Sequence, residues 1–124
     1  MRILLIDDDR DFVEATRTVL ESVPYDVDVA YSGEAGLAQA RTTRPDLILL
    51  DIIMPGENGF DVYEKLQAEP GLADVPVILL TSLSSGLHVT PPAAIKSAEY
   101  IEKPVRPAEL LKRVRELTAV RRTR

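Results

Sequence analysis

Arg2-Ile3-Leu4-Leu5-Ile6-Asp7-Asp8-Asp9 opens the chain with a short apolar run that stops at three carboxylates. The same device recurs along the sequence. Leu47-Ile48-Leu49-Leu50 stops at Asp51, Val77-Ile78-Leu79-Leu80 stops at Thr81-Ser82, and Tyr100-Ile101-Glu102 stops at Lys103-Pro104. Continuous apolar runs of this length read as strands buried on both faces of a parallel sheet. The carboxyl ends of such strands form the ligand crevice of an open parallel sheet. The run ends therefore bring carboxylates, a hydroxyl and an ammonium to one edge. That combination suits a divalent cation and a phosphoryl group.

Between the runs the spacing becomes helical. Arg10 to Ser22 carries Phe12, Val13, Thr16, Val19 and Leu20 at helical intervals, with Val23 next in register, Asp9 at the N-cap and Pro24 as the stop. Val27 to Tyr31 alternates like a strand, and Ser32-Gly33 offers a turn and a cap. Glu34 to Thr43 predicts a small helix ending before Pro45. Met54-Pro55-Gly56-Glu57-Asn58-Gly59 reads as a turn-rich loop. Phe60, Val62, Tyr63, Leu66 and Gln67 predict a helix that Pro70-Gly71 ends. Arg106 to Arg121 predicts a last helix, with Pro107 at its first position and Leu110, Leu111, Val114, Leu117 and Val120 on one face. Five strand–helix units in alternation define an α/β fold, a doubly wound parallel sheet with helices on both faces. Residues 1–124 are expected to form one domain, without internal repeats, low-complexity segments or linkers.

Composition bounds the function. Hydrophobic content of 45% and charged content of 28% are those of a globular protein that buries one core. No apolar run approaches the roughly 20 residues of a membrane span. Charged residues follow Ile6 at once, so no signal peptide is expected. The absence of cysteine excludes disulfides and thiolate metal sites, and makes the cytoplasm the expected compartment. A net charge of −5 argues against nucleic-acid binding across the domain. His88 is the single histidine, which excludes a multi-histidine metal site, and it reads as a loop residue. Tyr25, Tyr31 and Tyr63 read as half-buried packing residues. Arg121-Arg122-Thr123-Arg124 reads as a solvated end that complements a helix C-terminus, with the start of a linker as the alternative.

Asp7 and Asp8 can both turn toward one site because the backbone leaves strand geometry at a strand end. Asp51 joins them from another strand. Carboxylates held together raise one another's pKa values, and a bound cation removes the conflict. Hard oxygen donors with phosphate and water suit Mg²⁺, and the loop spacing of an EF-hand calcium site is missing. Lys103 supplies a point charge for phosphate oxygens. An ion pair with the carboxylates would place it in the same site.

These residues, in this order, resemble the receiver domain of two-component response regulators. The resemblance rests on Asp7-Asp8, on Pro45-Asp46-Leu47-Ile48-Leu49-Leu50-Asp51-Ile52-Ile53-Met54-Pro55-Gly56-Glu57-Asn58-Gly59, on Thr81-Ser82 and on Lys103-Pro104, and covers nearly the whole chain. It implies a flavodoxin-like (βα)5 domain with strand order 2-1-3-4-5. It implies that Asp51 accepts a phosphoryl group from the phosphohistidine of a sensor histidine kinase or histidine phosphotransfer protein. Asp8 would ligate Mg²⁺ directly, Asp7 mainly through a water, and the backbone carbonyl of Ile53 would be a further ligand. Thr81 would bond the phosphoryl group and move inward, Lys103 would contact a phosphoryl oxygen, and Tyr100 would be the switch aromatic. A downstream effector domain or protein and a homodimer through the last two units are implied partners. No nucleic acid or membrane contact is implied for the domain itself.

The sequence departs from the family in the fourth unit. Gly86 to Ser97 holds Pro91-Pro92, and two consecutive prolines fit only the start of a helix. A short or irregular fourth helix is expected, which bears on dimerisation. Arg106 stands where an acidic or polar cap is common. Two other functions fit parts of the pattern. One is a phosphorylation-independent interaction module of the same fold. The other is a haloacid-dehalogenase-type phosphatase, suggested by Asp7-Asp8-Asp9, against which stand the lack of an acidic pair after Lys103 and of room for a cap domain. In the family, the residues two beyond the phosphoacceptor and two beyond the threonine influence dephosphorylation. Here they are Ile53 and Leu83, which cannot orient water. The phosphorylated form is therefore expected to lose phosphate slowly. Polar replacement of both should accelerate the loss in a Mg²⁺ time course, and an unchanged rate would refute the idea.

Overall fold

The computed structural model describes residues 1–23, 25–82 and 99–122. In chain order its elements are β1 (Arg2–Ile6), α1 (Arg10–Ser22), β2 (Asp26–Ala30), α2 (Gly33–Thr43), β3 (Leu47–Asp51), β4 (Ile53–Met54), β5 (Glu57–Asn58), α3 (Gly59–Ala68), β6 (Val77–Ser82), β7 (Glu99–Lys103) and α4 (Pro107–Arg122). The expected fourth helix, Leu83 and His88 lie outside the described residues, as do Pro24 and the end of the basic tail.

The four runs and the alternating strand β2 make one five-stranded parallel sheet, ordered β2-β1-β3-β6-β7. Leaving aside the two-residue strands β4 and β5, this is the order 2-1-3-4-5. Side chains alternate between the faces, so each run feeds two cores. Leu4, Ile6, Ile48, Leu50 and Leu79 pack with Leu37, Ala40, Phe60, Val62 and Leu66 of α2 and α3. Ile3, Leu5, Leu47, Leu49, Ile78 and Leu80 pack with Val13, Leu20, Leu110 and Val114 of α1 and α4. This double burial explains why the runs are continuous rather than alternating.

Helix starts follow their caps. Asp9 accepts from the Phe12 amide at 3.2 Å and Ser32 from the Ala35 amide at 3.1 Å. Asn58 accepts from the Phe60 amide at 2.9 Å. Pro107 opens α4, and the Arg106 carbonyl takes the first helical bond from Leu110 at 3.0 Å. Arg106 thus caps through its backbone.

Two local readings change and a third gains a residue. Strand β2 begins at Asp26, whose amide bonds the Met1 carbonyl, and ends at Ala30 rather than Tyr31. The Met54–Gly59 loop contains an antiparallel hairpin, β4 against β5, turning through Pro55 and Gly56, the glycine at φ 71°. On α4 the buried line is Leu110, Val114 and Thr118, with Leu111 and Leu117 half-buried. Thr118 enters the core because its hydroxyl donates to the Val114 carbonyl at 2.8 Å. Among the described residues, no helix is long and apolar enough to cross a membrane.

Gly59 is where α3 meets the end of β3. Its amide donates to the Ile52 carbonyl at 2.7 Å. A Cβ there would sit 2.4 Å from Ile52 Cα and 2.5 Å from the Asp51 carbonyl oxygen, both backbone atoms. Gly59→Ala must push the helix start off the strand and is expected to cost about 2–4 kcal/mol in urea unfolding. An unchanged midpoint would mean that the two segments part freely.

Candidate functional site

The sheet register levels the functional residues. Ile6 pairs with Leu50, Asp51 with Leu80, Thr81 with Glu102, and Ser82 with Lys103. Asp7 follows Ile6, and its amide bonds the Ala30 carbonyl at 3.0 Å, so it stays within the sheet's edge and is fully buried. Its Oδ1 accepts from the Asp9 amide at 3.0 Å and its Oδ2 from Lys103 Nζ at 2.8 Å. Asp51 is 5% exposed. Its Oδ1 accepts from the Ile53 amide at 3.2 Å, and its Oδ2 lies 3.7 Å from Lys103 Nζ. Asp8 is exposed, at the mouth. One carboxylate oxygen from each of Asp7, Asp8 and Asp51 lies within 4.8 Å of the others.

Burial pushes the Asp51 carboxyl up to about 7. The charge on Asp7 adds to the rise, while Lys103 and the Ile53 amide oppose it. The carboxylate repulsion expected from the sequence is present, and desolvation outweighs it. The donor set is all hard oxygen, which fits a cation of the Mg²⁺ or Ca²⁺ class and no thiophilic metal.

Thr81 ends up on β6 next to the Asp51 level, half-buried. The Lys103-Pro104 peptide is cis. Ile53 lies in the hairpin and touches Asp51 through its amide. Tyr100 is half-buried against the α2–α3 core, as is Tyr63. Burial pushes both phenols up, and Tyr63 adds to the shift of Tyr100. The Tyr100 carbonyl accepts from Arg113 Nη2 at 2.9 Å, and Arg113 Nη1 also bonds Glu99 at 2.8 Å.

Two neighbours of the site escape a sequence reading. Glu57 belongs to the hairpin, yet its Oε1 accepts from the Gly33 amide at the start of α2, at 2.9 Å. Gly33 leaves the room, since a Cβ there would meet Glu57 Oε2 at 2.2 Å. The carboxylate also meets the positive end of α2. Phe12, counted above with the core of α1, places its ring centroid 4.2 Å from Lys103 Nζ. The only sequence signals are a glycine just after a cap and an aromatic four residues past Asp8.

A doubly wound sheet with an acidic triad and an ammonium at its carboxyl edge is the architecture of a receiver. The sequence matches the response regulator receiver domain family over residues 3–115. The chain belongs to that family, the phosphoacceptor switches of two-component signalling. It is 40% identical over 114 residues to the DNA-binding response regulator MtrA of Mycobacterium tuberculosis, covering 92% of this chain and 49% of that protein. It is 38% identical over 122 residues to the regulator RpaA of Synechocystis, covering 98% of this chain and 50% of that one. The chain thus spans about half the length of these curated relatives. The crystal structure of a CheY-like receiver domain protein from Methanospirillum hungatei superposes with a TM-score of 0.86 at 28% identity, covering 98% of this chain and 96% of that one.

The Asp51 shift sets a pH dependence. Because the folded-state value is raised, the stability tied to the neutral carboxyl is complete below 3.8 and is lost as pH rises through about 7. Asp51→Asn escapes that loss. In metal-free protein its stability relative to the parent is expected to grow by about 1–2 kcal/mol from about pH 5 to about pH 8, water and Lys103 sharing the charge. Urea unfolding in a chelator measures the gap. A gap independent of pH would mean that Asp51 is ionised throughout.

Proposed function

We propose that Asp51 is the phosphoacceptor of this switch and takes its phosphoryl group from the phosphohistidine of a sensor histidine kinase or histidine phosphotransfer protein. The observation that carries this reading is the convergence of Asp7, Asp8 and Asp51 with Lys103 at one edge of the sheet. Asp8 and Asp7 would hold Mg²⁺ together with Asp51 and the Ile53 carbonyl, Asp7 mainly through a water. When bound, the cation neutralises charge on the carboxylates and on the phosphoryl oxygens.

The chain's own residues supply the remainder. Asp51 is held by the Ile53 amide with Oδ2 toward Lys103. An ionised Asp51 oxygen attacks phosphorus in line. The new O–P bond forms as the P–N bond breaks, and the electron pair leaves with the imidazole nitrogen. Lys103 meets charge on an equatorial oxygen, so positioning and electrostatics carry most of the rate. The acyl phosphate adds acceptor oxygens next to the Thr81 level of the sheet. Thr81 moves to donate to one of them, and Tyr100 enters the space it leaves. Phosphorylation then shifts a two-state balance.

In this reading residues 1–124 are one receiver domain, at work in the cytoplasm. It is not an enzyme acting on a separate substrate, since it transforms only itself. An effector domain or protein takes the output. MtrA and RpaA are named as DNA-binding regulators. In an analogous system we place nucleic-acid contact in the effector, given the net charge of −5 here.

Incubation with Mg²⁺ and acetyl phosphate, followed by intact mass, tests the assignment. One added phosphoryl group is expected, absent from Asp51→Asn and from chelator-treated protein. No uptake in the parent, or uptake persisting in Asp51→Asn, would overturn it, the former favouring a phosphorylation-independent interaction module.

A further inference from the structure

Among the described residues, two carboxylates and one uncharged ring lie close to Lys103 Nζ. Asp7 Oδ2 accepts from it at 2.8 Å, Asp51 Oδ2 lies at 3.7 Å, and the Phe12 ring centroid at 4.2 Å. That last distance is well inside the range in which an aromatic face attracts a cation. Phe12 is placed firmly. Its amide is bound by the N-cap carboxylate of Asp9, and Val13 beside it is anchored in the core with no exposure. Phe12 itself is only half-buried, so core packing does not use its whole ring.

The two kinds of attraction respond differently to loading of the site. A divalent cation among Asp7, Asp8 and Asp51 draws on the carboxylates that now hold Lys103, and it repels the ammonium directly. A phosphoryl group on Asp51 consumes one of those oxygens. The quadrupole of the Phe12 ring is not altered by either event. Until a phosphoryl oxygen meets the ammonium, the ring face is a contact that the loss of the carboxylates does not remove.

We propose that Phe12 is a positioning residue for phosphoryl transfer, retaining the Lys103 ammonium beside Asp51 while cation and phosphoryl group occupy the carboxylates. The proposal rests on the assignment of Asp51 and Lys103 above. It adds α1 to the elements that build the site, through a ring face rather than a polar group.

Phe12→Leu keeps apolar bulk and removes the face, while Phe12→Tyr keeps the face. With saturating Mg²⁺ and varied acetyl phosphate, Phe12→Leu is expected to lower the maximal uptake rate about five- to tenfold, with Phe12→Tyr within about twofold of the parent. Mg²⁺ affinity, measured by titration, should be unchanged in both. An unchanged rate in Phe12→Leu, an equal loss in Phe12→Tyr, or a parallel loss of Mg²⁺ affinity would overturn the proposal. A second readout is independent of uptake. Nuclear relaxation of the Lys103 ammonium in Mg²⁺-loaded protein should report a mobile side chain in Phe12→Leu and an ordered one in Phe12→Tyr. An ordered ammonium in Phe12→Leu would refute the role. If the parent took up no phosphate, the Asp51 assignment would fall, and the proposed role in transfer with it. The relaxation data would still decide whether the ring holds the ammonium.

Discussion

Asp7 and Asp51 are two carboxyl groups buried side by side, and Lys103 is the counter-charge that lets the sheet edge tolerate them. Burying an ionised carboxylate without a partner costs several kcal/mol. Here Asp7 keeps its bond to Lys103 and to the Asp9 amide, and Asp51 has the Ile53 amide and the more distant ammonium. Among the described residues, no buried side-chain nitrogen or oxygen lacks a hydrogen-bond partner. The balance is uneven: burial, with the charge on Asp7, pushes the Asp51 carboxyl up to about 7, and its more distant ammonium offsets only part of that rise. A site left short of positive charge is disposed to accept a cation, and the mouth is open at Asp8.

The surrounding fold works to keep those groups level. The parallel register sets Asp51 and Thr81 one residue apart in height, and Lys103 sits against Ser82. Strand ends also serve as helix starts, so Asp9 caps α1 and Asn58 caps α3. The hairpin that carries Ile53 is fastened to Asp51, to α3 through Gly59 and to α2 through Glu57. Asp51 is thereby tied, through the hairpin, to both α2 and α3. On the other side, Arg113 ties α4 to the β7 backbone at Tyr100, which links the aromatic at the sheet edge to the last helix.

Much of this was legible beforehand for a simple reason. The central strands β1, β3 and β6 are buried on both faces, so their composition is almost uniformly apolar and their ends are abrupt. Asp7, Asp51 and Thr81 stand out because polarity returns there at once, and Lys103 by its place at the end of the short Tyr100-Ile101-Glu102 run. The helix caps were equally readable, since Asp9 and Ser32 act on their own amides within three residues. Thr118 was hidden because its buried hydroxyl is satisfied by its own helix backbone. Glu57 was hidden because its partner, Gly33, is 24 residues away. Phe12 fits a helical apolar pattern, and periodicity cannot say whether a ring at the margin of that face meets the core or an ammonium.

By itself the chain determined the strand–helix alternation, the order of the chemistry-bearing residues and the Asp9 and Ser32 caps, because these depend on local pattern and on double burial. Only the tertiary structure decided the β4–β5 hairpin, the clasp of Glu57 on α2, the ring under Lys103 and the unequal sharing of that ammonium between Asp7 and Asp51. Each of these depends on distances between residues far apart in sequence. The sheet register and the packing of helices on both faces set those distances.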